Sequence, residues 1–214
     1  AECVGILRVV GLVLSSEQPW LLRHLTPASL HVLPTARRGE GSALGGGEAL
    51  DTYKTIITKR DTRSFTEQAV PEEAVRRIVQ AGRMAGSSKN VQPCRFIIID
   101  DPKMKEELAK CGDFAAWIPS TPLLVAVALT DAGTRSEFDA GRAAQNMMVE
   151  AWAEGIASCP VSMHHVECAR DTLGLPETWR VCIVIGFGYR AKAPKSVPEA
   201  ARLPWDEYVH RNRW

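Results

Sequence analysis

The chain has 214 residues, 45% of them hydrophobic and 24% charged, with a formal net charge of +1. That is enough apolar sequence for one sizeable core, and a balance too near neutral to favour nucleic acid or an anionic membrane surface. Six cysteines, at 3, 94, 111, 159, 168 and 182, show no CxxC and no regular spacing. Several lie in apolar runs, where a free thiol behaves as a small hydrophobe. The pattern reads as a reducing, cytoplasmic compartment rather than a disulfide framework. No histidine pairs with Cys or Glu at metal-ligand spacing. The neighbours His164 and His165 are expected to project in different directions, so no metal site is predicted.

Residues 1–48 differ from the rest. "CVGILRVVGLVL" is an apolar run of about twelve residues, broken by Arg8 and too short to span a bilayer. It lacks a cationic start of the signal-peptide kind. A Pro-, Arg- and Gly-rich stretch comes next and ends in "GEGSALGGGEAL", which reads as a linker. Residues 1–48 are therefore expected to be an extension without chemistry, a signal peptide being the alternative, and 49–214 to be the folded domain.

"DTYKTIITKR" then reads as a helix with Asp51 at its N-cap. It runs into "KRDTRSF", Lys59 to Phe65, which gathers three cations in five positions. Two readings stand side by side. The cations complement the dipole of a solvated helix end, or they form a nest for a doubly charged group such as a phosphate, for which Arg is the planar, bidentate donor.

"PEEAVRRIVQAGRMAG" reads as a helix opened by Pro71, Glu72 and Glu73, with Val75, Ile78, Val79 and Gly82 on one stripe. It stops at the loop "GSSKN". "CRFIIID" is a buried strand, and "DPKMKEELAKCG" a helix opened by Asp101 and Pro102. "PLLVAVALT" is an apolar strand that begins after Pro122. "SEFDAGRAAQNMMVEAWAEG" is a helix of about five turns, apolar enough to be central and closely packed. "IASCPVS" is a short strand or turn. "HHVECARDTLG" is a helix stopped by Gly174, and "RVCIVIGFG" a third apolar strand. The tail "RLPWDEYVHRNRW" is polar yet holds Trp205, Tyr208 and Trp214, which suggests packing on another subunit.

No glycine fingerprint of the dinucleotide or P-loop type joins strand to helix, and no GxSxG elbow occurs. Asp139, Glu150 and Glu154 read as a solvated helix face, with 150 and 154 side by side. No catalytic dyad stands out, so any hard chemistry belongs to a cofactor.

Taken in order, "KRDTRSF…VP…AGRMAGSSKNVQPCRFIII", "D-AGRAAQNMMVEAWAEGI" and "LGLP…IVIGFG" resemble the nitroreductase family of FMN-dependent oxidoreductases. The likeness covers about residues 51–214. It implies an α+β fold with a central, mostly antiparallel sheet flanked by helices, in a homodimer with exchanged C-terminal arms. Two flavins would sit at the interface, each contacted by both chains. The resemblance puts Lys59, Arg60, Asp61 and Arg63 at the flavin, Arg60 toward the phosphate and Arg63 toward the ribityl chain or the pyrimidine edge. Ser87, Ser88, Asn90 and Gln92 match a loop that reaches the partner's flavin. Pro160, Val161, Ser162 and Met163 match the segment over one ring face, and Arg202 a C-terminal phosphate contact. Hydride would pass from NADH or NADPH to flavin N5 and on to a small acceptor in ping-pong fashion, with no protein nucleophile. A flavin-sequestering protein without turnover and an oxygen-dependent flavin-cleaving enzyme are the alternatives. Three positions depart from the family pattern: Cys94 stands where Trp is common, Gly86 where Pro is, and Ser162 where some relatives carry an acid.

Overall fold

In the computed structural model, which describes residues 52–130, 134–193 and 202–214, strand β2 (Leu123–Thr130) is buried along all but its last residue. A strand buried on both faces needs a layer of structure on each side, and the chain supplies both. Strands β1 (Cys94–Ile99), β3 (Ala157–Val161) and β4 (Trp179–Gly188) complete a sheet of order β1-β2-β4-β3. Every neighbouring pair is antiparallel. The α+β architecture expected from the sequence is the one observed.

Alternate residues of β2 serve the two faces. Leu123, Val125, Val127 and Leu129 pack with Ile78, Met147, Ile185 and Phe187 beneath helices α2 (Glu72–Arg83) and α4 (Thr134–Ala153). Leu124 and Ala126 pack with Leu108, Ile118, Ala169 and Val184 beneath α3 (Pro102–Ala109) and α5 (Val166–Thr172). The stripe expected on α2 faces inward, with Ala74, Val75, Ile78 and Gly82 buried. A side chain at Gly82 would lie 2.7 Å from Met147 Cγ, so the glycine sets how closely α2 and α4 approach. Asp101 caps α3 by accepting the Met104 amide at 2.7 Å, worth about 1 kcal/mol. Short helices α1 (Thr52–Thr58) and α6 (Trp205–Tyr208) complete the described elements, all within the unit Glu48–Trp214.

Several expectations need correcting. Helix α4 is only half packed: Ala140, Ala144, Met147, Met148 and Ala151 are buried, while Phe138 is 70% exposed and Arg142, Gln145 and Asn146 face outward. Composition alone hid this, because the many Ala and Met residues are gathered on the buried side and the outward one carries Arg, Gln and Asn. Cys111 and Cys168 form a disulfide with Cα atoms 5.5 Å apart, so the cysteines give no support for a reducing compartment. Cys94, Cys159 and Cys182 are free. Residues 57 apart in sequence meet because α5 packs against the end of α3, which spacing could not reveal. His164 and His165 do not diverge. His164 Nδ1 accepts the Asp113 amide at 3.2 Å, and His165 Nε2 lies 3.2 Å from Asp113 Oδ1. Among the described residues no cluster fit to hold a metal occurs. The expected extension 1–48 and the cap at Asp51 lie outside the described residues.

The disulfide closes a long loop that contains β2 and α4. Replacing both cysteines (Cys111→Ser with Cys168→Ser) should lower unfolding stability by about 2–4 kcal/mol. Urea melts of the variant beside the oxidised parent measure this, and coincident midpoints would show that the bond constrains nothing.

Candidate functional site

Strand β3 is an edge of the sheet, and the segment after α1 docks onto its free side. The Thr62 amide donates to the Ser158 carbonyl at 3.1 Å, and Asp61 bridges Ser158 in parallel. This contact brings Lys59, Asp61 and Arg63 beside the end of β3, but the three cations do different things. Lys59 pairs with Asp61 and places Nζ 3.5 Å from Met148 Sδ on α4. Arg60 turns back, and its Nη1 donates at 2.8 Å to the carbonyls of both Ile57 and Lys59. That is the helix-end role, in which a cation satisfies the last carbonyls of α1. Arg63 is exposed and lies near the Cys159 thiol, whose Sγ donates to the Pro160 carbonyl at 3.6 Å. Burial pushes the Cys159 pKa up, and Arg63 pulls against that shift. The thiol is therefore neutral rather than a thiolate. Ser158 Oγ is buried with no hydrogen-bond partner.

Of the next four residues, Val161 and Met163 point into the core below α3 and α5. They can offer a ligand only backbone. Pro160 is half-buried and Ser162 exposed. The segment is backed by Gly112, where a side chain would come within 3.1 Å of the Ser162 carbonyl. The His165 amide also donates to the Cys111 carbonyl at 3.0 Å.

The loop Ser87 to Gln92 is elsewhere. It precedes β1, the opposite edge strand, so the sheet separates it from the Lys59–Arg63 segment by more than three strand spacings, that is by more than about 14 Å. Ser87 and Gln92 line a cavity of about 290 Å³ with Val79, Phe96, Cys94 and Asp139. Ser88 and Asn90 form a short 3₁₀ turn with Lys89. One chain therefore does not bring the two sets of predicted site residues together. Arg202 is exposed at the head of the tail, where Trp205 and Tyr208 are each 74% exposed and Trp214 is 99% exposed.

Sequence reasoning missed three side chains. Cys159 lay inside the quoted "IASCPVS", but only the fold shows that it meets Arg63. Asp139 was read as solvated, yet it is 5% exposed and accepts the Ser88 amide at 3.1 Å. Arg142 lies 3.7 Å from the other Asp139 oxygen. Glu154 is likewise not free in solvent, its carboxylate being 2.5 Å from Arg77 Nη2. Arg142, one helical turn after Asp139 in "SEFDAGR", was the available signal.

Burial pushes the Cys94 thiol up to about 11, with Cys182 and Asp139 adding to the shift. A neutral thiol is a poor nucleophile. In the native protein Cys94 should react with iodoacetamide at pH 8 on the order of a hundredfold more slowly than free cysteine. Peptide mapping after timed labelling checks this, and fast labelling would restore Cys94 as a candidate nucleophile.

The model of the nitroreductase family matches residues 56–116 and 115–189. The NADPH-flavin oxidoreductase of Vibrio harveyi is 26% identical over 182 residues, which is 77% of this chain and 75% of that protein. A solved structure of the NADPH:FMN oxidoreductase from Vibrio harveyi, complexed with NAD+, superposes with a TM-score of 0.70 at 25% identity. It covers 76% of this chain and 77% of that one. An FMN-dependent nitroreductase of Clostridium difficile shares the fold at a TM-score of 0.70 and 22% identity, covering 75% of this chain and 98% of its own.

Proposed function

The chain belongs to the nitroreductase family, and from that premise we propose that it is an FMN-dependent oxidoreductase. Its donor would be NADH or NADPH and its acceptor a small organic molecule such as a nitroaromatic or a quinone. The observation that carries this reading is the docking of the Lys59–Arg63 segment onto Ser158 of β3, which leaves the Arg63 guanidinium exposed beside the backbone of residues 160–163. The residues present fit the group. Lys59 and Arg63 provide cationic donors for an anionic, hydrogen-bonding ligand, and Ser158 Oγ is a buried hydroxyl still in need of a partner. Arg60 keeps Nε and Nη2 for a phosphate while Nη1 holds the α1 carbonyls, since arginine has five donors.

Bound FMN would supply hydride acceptance from the nicotinamide and hydride delivery to the acceptor. The protein's share is positioning and electrostatics. Arg63 would supply a fixed positive charge to stabilise the negative charge of a reduced flavin. Backbone groups of 160–163 would be offered to the flavin ring, held from behind by the disulfide-linked loop. The neutral thiols leave no protein nucleophile in this scheme, as a ping-pong exchange of donor and acceptor requires none.

The assembly proposed is a homodimer. The two sets of site residues lie at opposite sheet edges, so a flavin held at the β3 edge of one chain would meet Ser87, Ser88, Asn90 and Gln92 of a second copy. Arg202 and the exposed aromatics of the tail would extend across the same interface. No helix among the described residues is long and apolar enough to cross a membrane. A cytoplasmic location is kept as part of the proposal on the general ground that reduced nicotinamides are intracellular donors.

Purified protein is expected to be yellow and to release FMN on denaturation. Arg63→Ala should weaken FMN binding by roughly ten- to hundredfold, the loss of one hydrogen bond to a charged group, and should slow flavin reduction by NAD(P)H at saturating FMN. Fluorescence titration and stopped-flow absorbance measure the two effects. A colourless preparation that takes up no added FMN would sink the reading, and flavin uptake without NAD(P)H oxidation would leave a storage protein.

Removing residues 202–214 should give monomers that bind FMN weakly, as seen by light scattering and by flavin content after gel filtration. A truncated chain that stays dimeric and yellow would show the tail to be local structure.

A further inference from the structure

The loop before β1 is held in a conformation that its residues resist. Lys89, Asn90 and Gln92 have φ of 50, 56 and 52°. A Cβ crowds the backbone in that left-handed region, which side chains larger than Asn rarely enter. Four of the loop's amides are hydrogen-bonded. Asn90 donates to the Ser87 carbonyl and Val91 to the Ser88 carbonyl, each at 3.1 Å. Gln92 donates to Ser87 Oγ at 2.9 Å. These three bonds are internal and do not fix the loop to anything. The fourth runs from the Ser88 amide to Asp139 Oδ2 at 3.1 Å and ties the loop to α4.

That carboxylate is itself held. Asp139 is buried, and its other oxygen lies 3.7 Å from Arg142 Nη1, one turn along the helix. Arg142 in turn covers the loop's first residue, since a side chain at Gly86 would meet its Nη2 at 2.7 Å. Helix α4 thus grips the start of the loop at two nearby residues, 86 and 88, just before the left-handed stretch. A grip at that point sets the path of residues 89–92.

We propose that Asp139 is a positioning residue for the FMN site. It holds Ser87 to Gln92 in the left-handed conformation that presents their side chains to the flavin of a partner copy. What the loop touches rests on the flavin reading above, but the clamp itself does not. Asp139 touches no flavin in this scheme and acts through the Ser88 amide.

Two variants and a suppressor separate this role from simple support of the fold. Asp139→Ala removes the acceptor, while Asp139→Asn keeps an oxygen for the Ser88 amide. Hydrogen exchange on the flavin-free protein should show the amides of residues 88–92 exchanging at least about tenfold faster in Asp139→Ala, and near the parent rate in Asp139→Asn. The FMN dissociation constant should rise by roughly ten- to hundredfold in the alanine variant and return close to parent in the asparagine one. Adding Lys89→Gly to Asp139→Ala should recover roughly five- to tenfold of that affinity, because glycine takes a positive φ without a Cβ penalty.

Melting temperature, followed alongside, keeps a folding defect from passing as a binding one. The proposal is overturned if Asp139→Ala leaves loop exchange and FMN affinity unchanged. It is overturned equally if affinity and melting fall together with no rescue by Asp139→Asn or Lys89→Gly. A parent protein that binds no FMN would defeat the flavin reading separately, and the exchange measurement would then decide the clamp alone.

Discussion

The burial of β2 on both faces is the constraint on which the rest of this architecture depends. A strand with no solvent face can sit only inside the sheet, with helices above and below. Here that places β4 on one side, β1 on the other, and β3 at the far edge. The edges are then the only parts of the sheet still able to pair. The Lys59–Arg63 segment uses one of them, through a single backbone hydrogen bond to Ser158. The Ser87–Gln92 loop leads into the other. Core packing and the separation of these two segments are in this sense one fact.

The two edges handle charge differently. At the β3 edge, three cations so close in sequence would repel one another if they converged. Each instead has its own counterpart: Asp61 for Lys59, helix carbonyls for Arg60 and a neutral thiol for Arg63. Lys59 has a counter-charge, whereas the guanidinium charges of Arg60, held by neutral carbonyls, and of Arg63 stay unbalanced by the protein. A neutral thiol near Arg63 leaves its charge intact, whereas a carboxylate at position 159 would cancel it. At the β1 edge the order is reversed, with a buried carboxylate orienting neutral backbone amides.

Much of this was legible in the sequence. The run "LLVAVALT" could be nothing but an interior strand, and the stripe of Val75, Ile78 and Gly82 named the inward face of α2. Asp101 announced its cap. The features that stayed hidden depend on contacts between distant segments. "KRDTRSF" contains one arginine that turns back onto the helix end and one that stays exposed, and local sequence does not say which is which. The fold does, because Arg60 comes two residues after α1 and reaches its last carbonyls, while Arg63 lies past the docking point at Thr62. Asp139 looked solvated because helical spacing locates a face but not the loop that covers it. The Cys111–Cys168 bond was invisible for the same reason.

The placement of Arg63 and Asp139 on opposite edges has a genetic corollary. In a dimer whose sites are shared as proposed, each flavin draws its arginine from one chain and its clamped loop from the other. Chains carrying a lesion at Arg63 and chains carrying one at Asp139 would each be impaired alone. Mixed one to one, a heterodimer of the two would collect both lesions in one site and leave the second site with intact parts from both parents. Two defective alleles would then complement each other, as no pair of lesions within a single-chain site could.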